Sequence, residues 1–209
     1  MVYTGTELYD DEGVFATYIA RRQRMDSPND LLEAPVMWEL MEDVMGKRVL
    51  DLGCGTASTG VELMERGCRS YLGVEGSERM ATVARVTLDG TSGKLVHADL
   101  TAWQPRENAF DLVLSRLVFH YLPALDVLFS QVYRSLTNGG QFLFSVEHPI
   151  ITSQEMVRED GLRRNWLVDN YFDIGRREVP WMGSAVVLYH RTVEEYYQLL
   201  QTSGFTVEH

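Results

Sequence analysis

Val49-Leu50-Asp51-Leu52-Gly53-Cys54-Gly55-Thr56-Ala57 is the stretch that most limits what this chain can become. A short apolar run of strand character enters a turn with two glycines, and residues with helical patterning follow at once. Such glycines let the backbone approach a ligand closely, and the start of the helix offers free amide groups to it. The same alternation continues to about Glu147. Val49 to Leu52, Tyr71 to Glu75, Leu95 to Ala98, Leu112 to Ser115 and Gln141 to Val146 read as strands. Thr59 to Arg66, Glu78 to Thr87 and Ala124 to Leu136 carry apolar residues at helical spacing. Alternation of this kind folds as a parallel sheet covered by helices on both faces. Thr59 with Glu62 has the form of a capping box, and Asn138-Gly139-Gly140 is expected to end a helix in the left-handed conformation.

The flanks are less regular. Leu31 to Met45 predicts an amphipathic helix with Leu31, Leu32, Val36, Leu40 and Val44 near its buried face. Ile150 to His190 is aromatic and charged without clear period, and reads as an insertion, a lid with some β structure. Thr192 and Glu195 open a last helix that ends at Gly204, and Phe205 to Glu208 is expected to begin a strand. The 209 residues thus divide into an N-terminal helical lid (1–46), a cofactor-binding core (47–149), a substrate cap (150–191) and the last helix (192–209), within one domain.

The formal net charge of −11 repels polyanions, so nucleic acid is not an expected partner. Arg21, Arg22 and Arg24, and again Arg163 and Arg164, are short clusters flanked by acids and read as solvated surface. Cys54 and Cys68 lack the spacing of a disulfide framework or a zinc site, which favours a reducing cytoplasm. The start Met1-Val2-Tyr3-Thr4 turns acidic at Asp10, unlike a signal peptide, and no apolar run reaches the roughly 18 residues a membrane span needs.

Glu75 ends the next strand, 20 positions after Gly55, where a carboxylate can accept both hydroxyls of a ribose. A nicotinamide-dependent oxidoreductase, the competing reading, would carry G-x-G-x-x-G, but Ser58 stands at the third glycine position and Asp51 would repel a pyrophosphate. Asp51 suits instead the ammonium group of an amino acid, and a sulfonium cofactor carries one. A protein that binds the cofactor without turnover is a further alternative.

On the loop Asp51 to Ala57, Gly73-Val74-Glu75-Gly76-Ser77, Ala98-Asp99-Leu100 and Leu136-Thr137-Asn138-Gly139-Gly140, taken in order, the run from Arg48 to Glu147 resembles the class I S-adenosylmethionine methyltransferases. It looks most like their small-molecule branch, which includes the ubiquinone-biosynthesis type. The resemblance covers about half the chain and implies a Rossmann-like, doubly wound, mostly parallel α/β sheet with S-adenosyl-L-methionine as cofactor. It implies that Asp51, Gly53, Cys54, Gly55, Glu75 and Gly76 hold the amino acid and ribose, that Asp99 bonds the adenine amino group, and that Met80 and Leu100 pack on the adenine. Glu75 stands where aspartate is commoner. Relatives close with a reversed hairpin of two strands, and this chain stops at His209 within the first, so the final antiparallel strand is expected to be missing.

Ligands bind at the carboxyl ends of the strands in open α/β sheets. Ser115, Arg116, Phe119, His120 and Tyr121 after the fourth strand, and Glu147 and His148 after the fifth, are therefore candidates. Ser115-Arg116-Leu117-Val118 stands where an amino-methylase would show Asn/Asp-Pro-Pro-aromatic, and it offers no acidic ligands for a catalytic metal. The expected acceptor is a small molecule methylated on oxygen or nitrogen by in-line displacement. His148, before Pro149, is a candidate base or a histidine bonded to backbone at a turn; His120 is expected to cap a helix start or touch the ligands. His190, with Tyr171, Asp173 and Tyr189, could line a pocket, while Trp166 and Trp181 pack the insertion. Tyr9, Tyr18 and Arg22 are expected to cover the cofactor.

Overall fold

The computed structural model describes residues 1–24, 26–153 and 168–208. The elements are β1 (Val2–Tyr3), α1 (Gly5–Asp10), α2 (Glu12–Arg22), a π-helical turn (Asn29–Glu33), α3 (Ala34–Met41), β2 (Arg48–Leu52), α4 (Ser58–Glu65), β3 (Ser70–Glu75), α5 (Glu78–Thr87) and β4 (Lys94–His97). Then come β5 (Phe110–Arg116), a 3-10 turn (Phe119–Tyr121), α6 (Asp126–Ser135), β6 (Leu136–Ser145), α7 (Pro149–Thr152), β7 (Gly175–Trp181), β8 (Ser184–His190) and α8 (Val193–Thr202).

Five strands form a parallel sheet in the order β4-β3-β2-β5-β6. β2 sits at the centre and is apolar on both faces, as a strand covered twice must be. Leu50 and Leu52 join Val74, Val113, Phe119 and Phe129 in one core cluster. Val49, one residue out of phase, joins Met37, Met41, Leu63, Tyr71 and Leu112 in the other. At the amino end of the sheet, Arg48 grips Asp111 through Nε (2.9 Å) and Nη2 (2.8 Å), and the Arg48 amide and the Thr137 hydroxyl bond the same carboxylate. These donors hold the Asp111 carboxyl well below the usual carboxylate range.

A second sheet in the order β1-β8-β7 is built from both flanks: β7 and β8 are antiparallel, and β1 runs parallel to β8. The insertion therefore contains the expected β structure, and the N-terminal segment adds a strand to its helices. Arg163, Arg164 and Trp166 lie outside the described residues.

Several local expectations are corrected. Leu31, Leu32 and Val36 are exposed, and Met37 and Met41 are buried instead. The inward face begins with the acids Asp30 and Glu33, paired with Arg22 and Arg116, and Met37 and Met41 continue it at helical spacing. The helix α4 is not opened by a Thr59 capping box. Its N-cap is Ala57, with no side-chain bond, and Thr59 Oγ1 accepts from Arg116 at 2.9 Å. Asn138-Gly139-Gly140 does not end α6, which stops at Ser135; Gly139 (φ +77°) instead lies where β6 bulges between its pairings with Phe110 and Leu112. Phe205 to Val207 and Glu208 form no strand. Gly204 (φ +101°) turns the chain out of α8, and the Phe205 ring packs on Tyr133 and Phe142 at 5.2 Å.

Candidate cofactor and acceptor site

Strand order reverses between β2 and β5, so the loops that follow these strands diverge and open a crevice at their carboxyl ends. The backbone there is under constraint. Gly53 (φ +74°) passes so close to the loop after β5 that a Cβ would stand 2.4 Å from Val118. Ala57 (φ +59°) and Leu117 (φ +58°) adopt the left-handed conformation without being glycine, at roughly 1–2 kcal/mol each, and strain of this kind gathers at functional sites.

Two buried carboxylates face this loop. Glu75, 7% exposed, accepts from the Gly55 amide and the Ser77 amide, each at 2.8 Å. Burial raises its pKa against the pull of those amides. Asp51, 3% exposed, accepts from the Tyr71 hydroxyl at 2.9 Å, its only hydrogen-bond donor among the described residues. Burial pushes the Asp51 carboxyl up to about 6, while Tyr71 and the more distant Arg116 pull the other way. A buried anion with one neutral donor fits a site that receives a cation. Nothing lies within 4 Å of where a Cβ on Gly55 would be, so the loop is open above that residue.

The remaining expected cofactor residues ring this centre. The Cys54 thiol, its pKa raised by burial and the neighbouring acids, lies beside the Tyr71 hydroxyl. Gly76 lies against Thr6, whose Cγ2 would stand 2.5 Å from an added Cβ. Met80 is buried at the start of α5, where its amide bonds Ser77 Oγ. Asp99 is exposed and accepts from the Thr101 amide and hydroxyl at 2.8 Å, beside buried Leu100. Ser115 is fully buried and donates to the Leu52 carbonyl. Tyr18 meets Tyr9 edge to face at 5.0 Å, and the fields of Glu75 and Arg116 both reach its hydroxyl. Arg22 pairs with Asp30 at 2.8 Å.

The three histidines separate. His120 is buried in the 3-10 turn after β5 and does not cap a helix; its Nδ1 accepts from the Glu147 amide at 3.3 Å. Burial, helped by the Arg191 charge, depresses it to about 3, so it is neutral in water near neutrality. His148 is exposed and caps α7, with Nδ1 accepting from the Ile150 amide. His190 is buried with both ring nitrogens engaged, by Thr152 Oγ1 (2.7 Å) and by the Tyr171 carbonyl (2.8 Å). The Tyr9 and Tyr121 hydroxyls lie near each other beside His120, and the Glu147 charge acts on Tyr121.

Glu33 has no counterpart among the expected residues. It takes a two-pronged ion pair from Arg116 and a 2.7 Å bond from the Ser145 hydroxyl, fastening the π turn to the ends of β5 and β6. Its only sequence signal is an acid between the apolar residues Leu32 and Val36. Among the described residues, no group of three or more His, Cys, Asp or Glu is gathered as metal ligands.

Residues 49–140 match the methyltransferase domain family. The crystal structure of an S-adenosylmethionine-dependent methyltransferase from Mesorhizobium loti is 33% identical, superposes with a TM-score of 0.78, and is matched over 88% of this chain and 84% of that one. Malonyl-[acyl-carrier protein] O-methyltransferase of Geobacter sulfurreducens is 35% identical over 50% of this chain and 40% of its own length. Trans-aconitate 2-methyltransferase of Variovorax paradoxus is 30% identical over 44% of this chain and 36% of its own. The chain thus matches less than half the length of these two curated relatives. A central parallel sheet, a glycine loop flanked by two buried acids, and a relative of one-third identity along most of the chain lead to one conclusion: this protein belongs to the S-adenosylmethionine-dependent methyltransferases.

Proposed function

We propose that the crevice between β2 and β5 seats S-adenosylmethionine and presents it to an oxygen or nitrogen of a small-molecule acceptor. The observation that carries this reading is Glu75, a buried carboxylate already aimed by the Gly55 and Ser77 amides. Its orientation needs no reorganisation when ribose hydroxyls arrive. Asp51 takes the ammonium group, with the Gly53, Cys54 and Gly55 backbone beside the amino acid. Gly76, Met80 and Leu100 hold the adenosine, Asp99 receives the adenine amino group, and Ser115 backs the crevice. Tyr18 and Arg22 cover it.

The cofactor supplies an electrophilic methyl group; the protein's task is to bring a nucleophile into line with it, which can supply about 7–11 kcal/mol at most. Tyr9, Tyr121, Glu147 and His120 are placed to do so. With Nδ1 occupied by the Glu147 amide, His120 carries its proton on Nε2 and serves as a neutral donor that orients the acceptor. We assign anchoring roles to His148, whose Nδ1 accepts from the Ile150 amide, and to His190, whose ring nitrogens bond the Thr152 hydroxyl and the Tyr171 carbonyl. The trans-aconitate enzyme supports a small acceptor, and the net charge of −11 argues against nucleic acid. The free thiols Cys54 and Cys68 suit a reducing cytoplasm, and no helix among the described residues is long and apolar enough to cross a membrane.

Calorimetry with S-adenosylhomocysteine, S-adenosylmethionine and NAD tests the cofactor site. Binding of the first two and not of NAD is expected, and the reverse would overturn the reading. A panel of small carboxylates, hydroxy compounds and amines, followed by mass spectrometry for the gain of one methylene, tests the acceptor class. Turnover on a protein or nucleic acid with none on the panel would refute it.

A further inference from the structure

The peptide group between Gly76 and Ser77 is held from both sides. Its amide, on Ser77, donates to Glu75 Oε1 at 2.8 Å. Its carbonyl, on Gly76, accepts from His97 Nε2 at 3.0 Å. His97 ends β4 and is paired with Glu75 in the register of β3 and β4, and the next amide, of Ala98, donates to the Glu75 carbonyl at 2.9 Å. The other ring nitrogen, Nδ1, meets Glu78 Oε2 at 2.8 Å. A carbonyl and a carboxylate can only accept, so both ring nitrogens must carry hydrogen for the two bonds to exist together. That form of histidine is the imidazolium.

A peptide group is planar and conjugated, so a cation that pulls on its carbonyl strengthens the dipole of its amide. The hydrogen-bonded chain thus runs from Glu78 through the ring and the peptide to Glu75. Burial works against the charge of Glu75, and the Ser77 amide is the largest pull in the other direction. Building on the cofactor seat described above, we propose that His97 is a positioning residue: protonated, it holds the Gly76–Ser77 peptide and so aims Glu75 at the ribose hydroxyls. Deprotonation leaves one proton for two acceptors, and the neutral ring must release either Gly76 or Glu78. The charged groups around this chain are Glu78 and Arg85 of α5, which bond each other at 3.0 Å, and Glu75 of β3. Asp10 of α1 accepts from the Ser77 hydroxyl at 2.7 Å, Arg79 Nε donates to the Asp10 carbonyl, and Asp99 is taken by the Thr101 amide and hydroxyl. Because His97 and Glu78 are exposed, the effect on the cofactor is several-fold rather than absolute.

Calorimetry of the full chain with S-adenosylhomocysteine at about pH 6 and about pH 8, either side of the ordinary histidine range, tests this. His97→Ala is expected to bind about five-fold more weakly than wild type at the lower pH, as for one lost hydrogen bond, and within about two-fold at the higher. Asp51, pushed up to about 6, titrates in both proteins and cancels in that ratio. In Glu78→Gln the side-chain amide can donate to a neutral Nδ1, so the affinity of this variant relative to wild type should rise from the lower pH to the higher. By reciprocity, saturation with S-adenosylhomocysteine should carry the imidazolium form of His97 to higher pH in ring-nitrogen NMR spectra, a change that a merely structural contact would not produce. A ratio between wild type and His97→Ala that does not change with pH, or a ring titration that ignores the ligand, overturns the proposal. Absence of binding by wild type at both pH values would instead remove the cofactor seat itself, and the proposal with it.

Discussion

Replacing Asp51 by asparagine should make the protein without cofactor more stable and its cofactor weaker. In the folded chain burial raises this carboxyl from 3.8 to about 6. A raised carboxylate pKa means that the native state favours the protonated form. The resulting penalty is absent below the unfolded value, grows as pH rises between the two, and is complete above about 6. It amounts to roughly 3 kcal/mol near pH 7.5 and about half as much near pH 5. The asparagine side chain would keep the volume and the Tyr71 bond, while its amide hydrogens, lacking a partner, return about 1 kcal/mol. Asp51→Asn should therefore exceed wild type by about 2 kcal/mol near pH 7.5, roughly 4–8 °C in Tm, and by well under half of that near pH 5. Urea unfolding of both proteins at the two pH values measures the gap. The same substitution should weaken S-adenosylhomocysteine about 10–100-fold near pH 7.5, because a charge-assisted bond is lost. A gap that fails to widen with pH, or a variant that binds as well as wild type, would refute the argument that Asp51 is held as a costly anion for a cationic ligand.

Glu75→Gln should lower S-adenosylhomocysteine affinity at least about ten-fold by calorimetry, since a charged acceptor of hydroxyl bonds becomes neutral; equal affinity would remove Glu75 from the site. Gly60→Ala should destabilise the fold by roughly 1–3 kcal/mol. An added Cβ would stand 2.3 Å from the Tyr71 ring, and the displaced hydroxyl would also leave Asp51, so thermal unfolding and cofactor affinity should suffer together. Asp111→Asn should destabilise at neutral pH in urea titrations, and the difference should fade as pH falls from the ordinary carboxylate value toward the depressed value of the folded state, because that is where wild type loses its own Arg48 clamp.

The central strands were legible because their residues answer to two-residue alternation or to burial on both faces, and tertiary contacts do not override such patterns. The loop from Asp51 to Ala57 was legible as a tight turn between strand and helix because its positive-φ positions favour glycine, and Glu75 was legible as the end of the next strand, where its carboxylate meets the Gly55 amide. The reading failed where phase or partner depends on distant residues. Asp30 and Glu33, paired with Arg22 and Arg116, take the inward face ahead of Met37 and Met41, and Leu31 and Val36 turn to solvent. Glu33 has no local reason to be functional until β5 and β6 bring Arg116 and Ser145 to it. Asn138-Gly139-Gly140 has the composition of a helix stop, yet the pairing of β6 with β5 uses it as a bulge. The histidine at 148 had two readings in sequence, and the bond from the Ile150 amide favours the one at the turn.

The two ends of the large sheet are made differently. At the amino end, Arg48, Asp111 and Thr137 lock β2, β5 and β6 together with directed bonds. At the carboxyl end, Ala57 and Leu117 hold unfavourable backbone geometry. Such a division suits inheritance with variation: the loops after β2 and β5 can trade residues and change acceptors over generations, because the register of the strands beneath them is fixed from the opposite edge of the molecule.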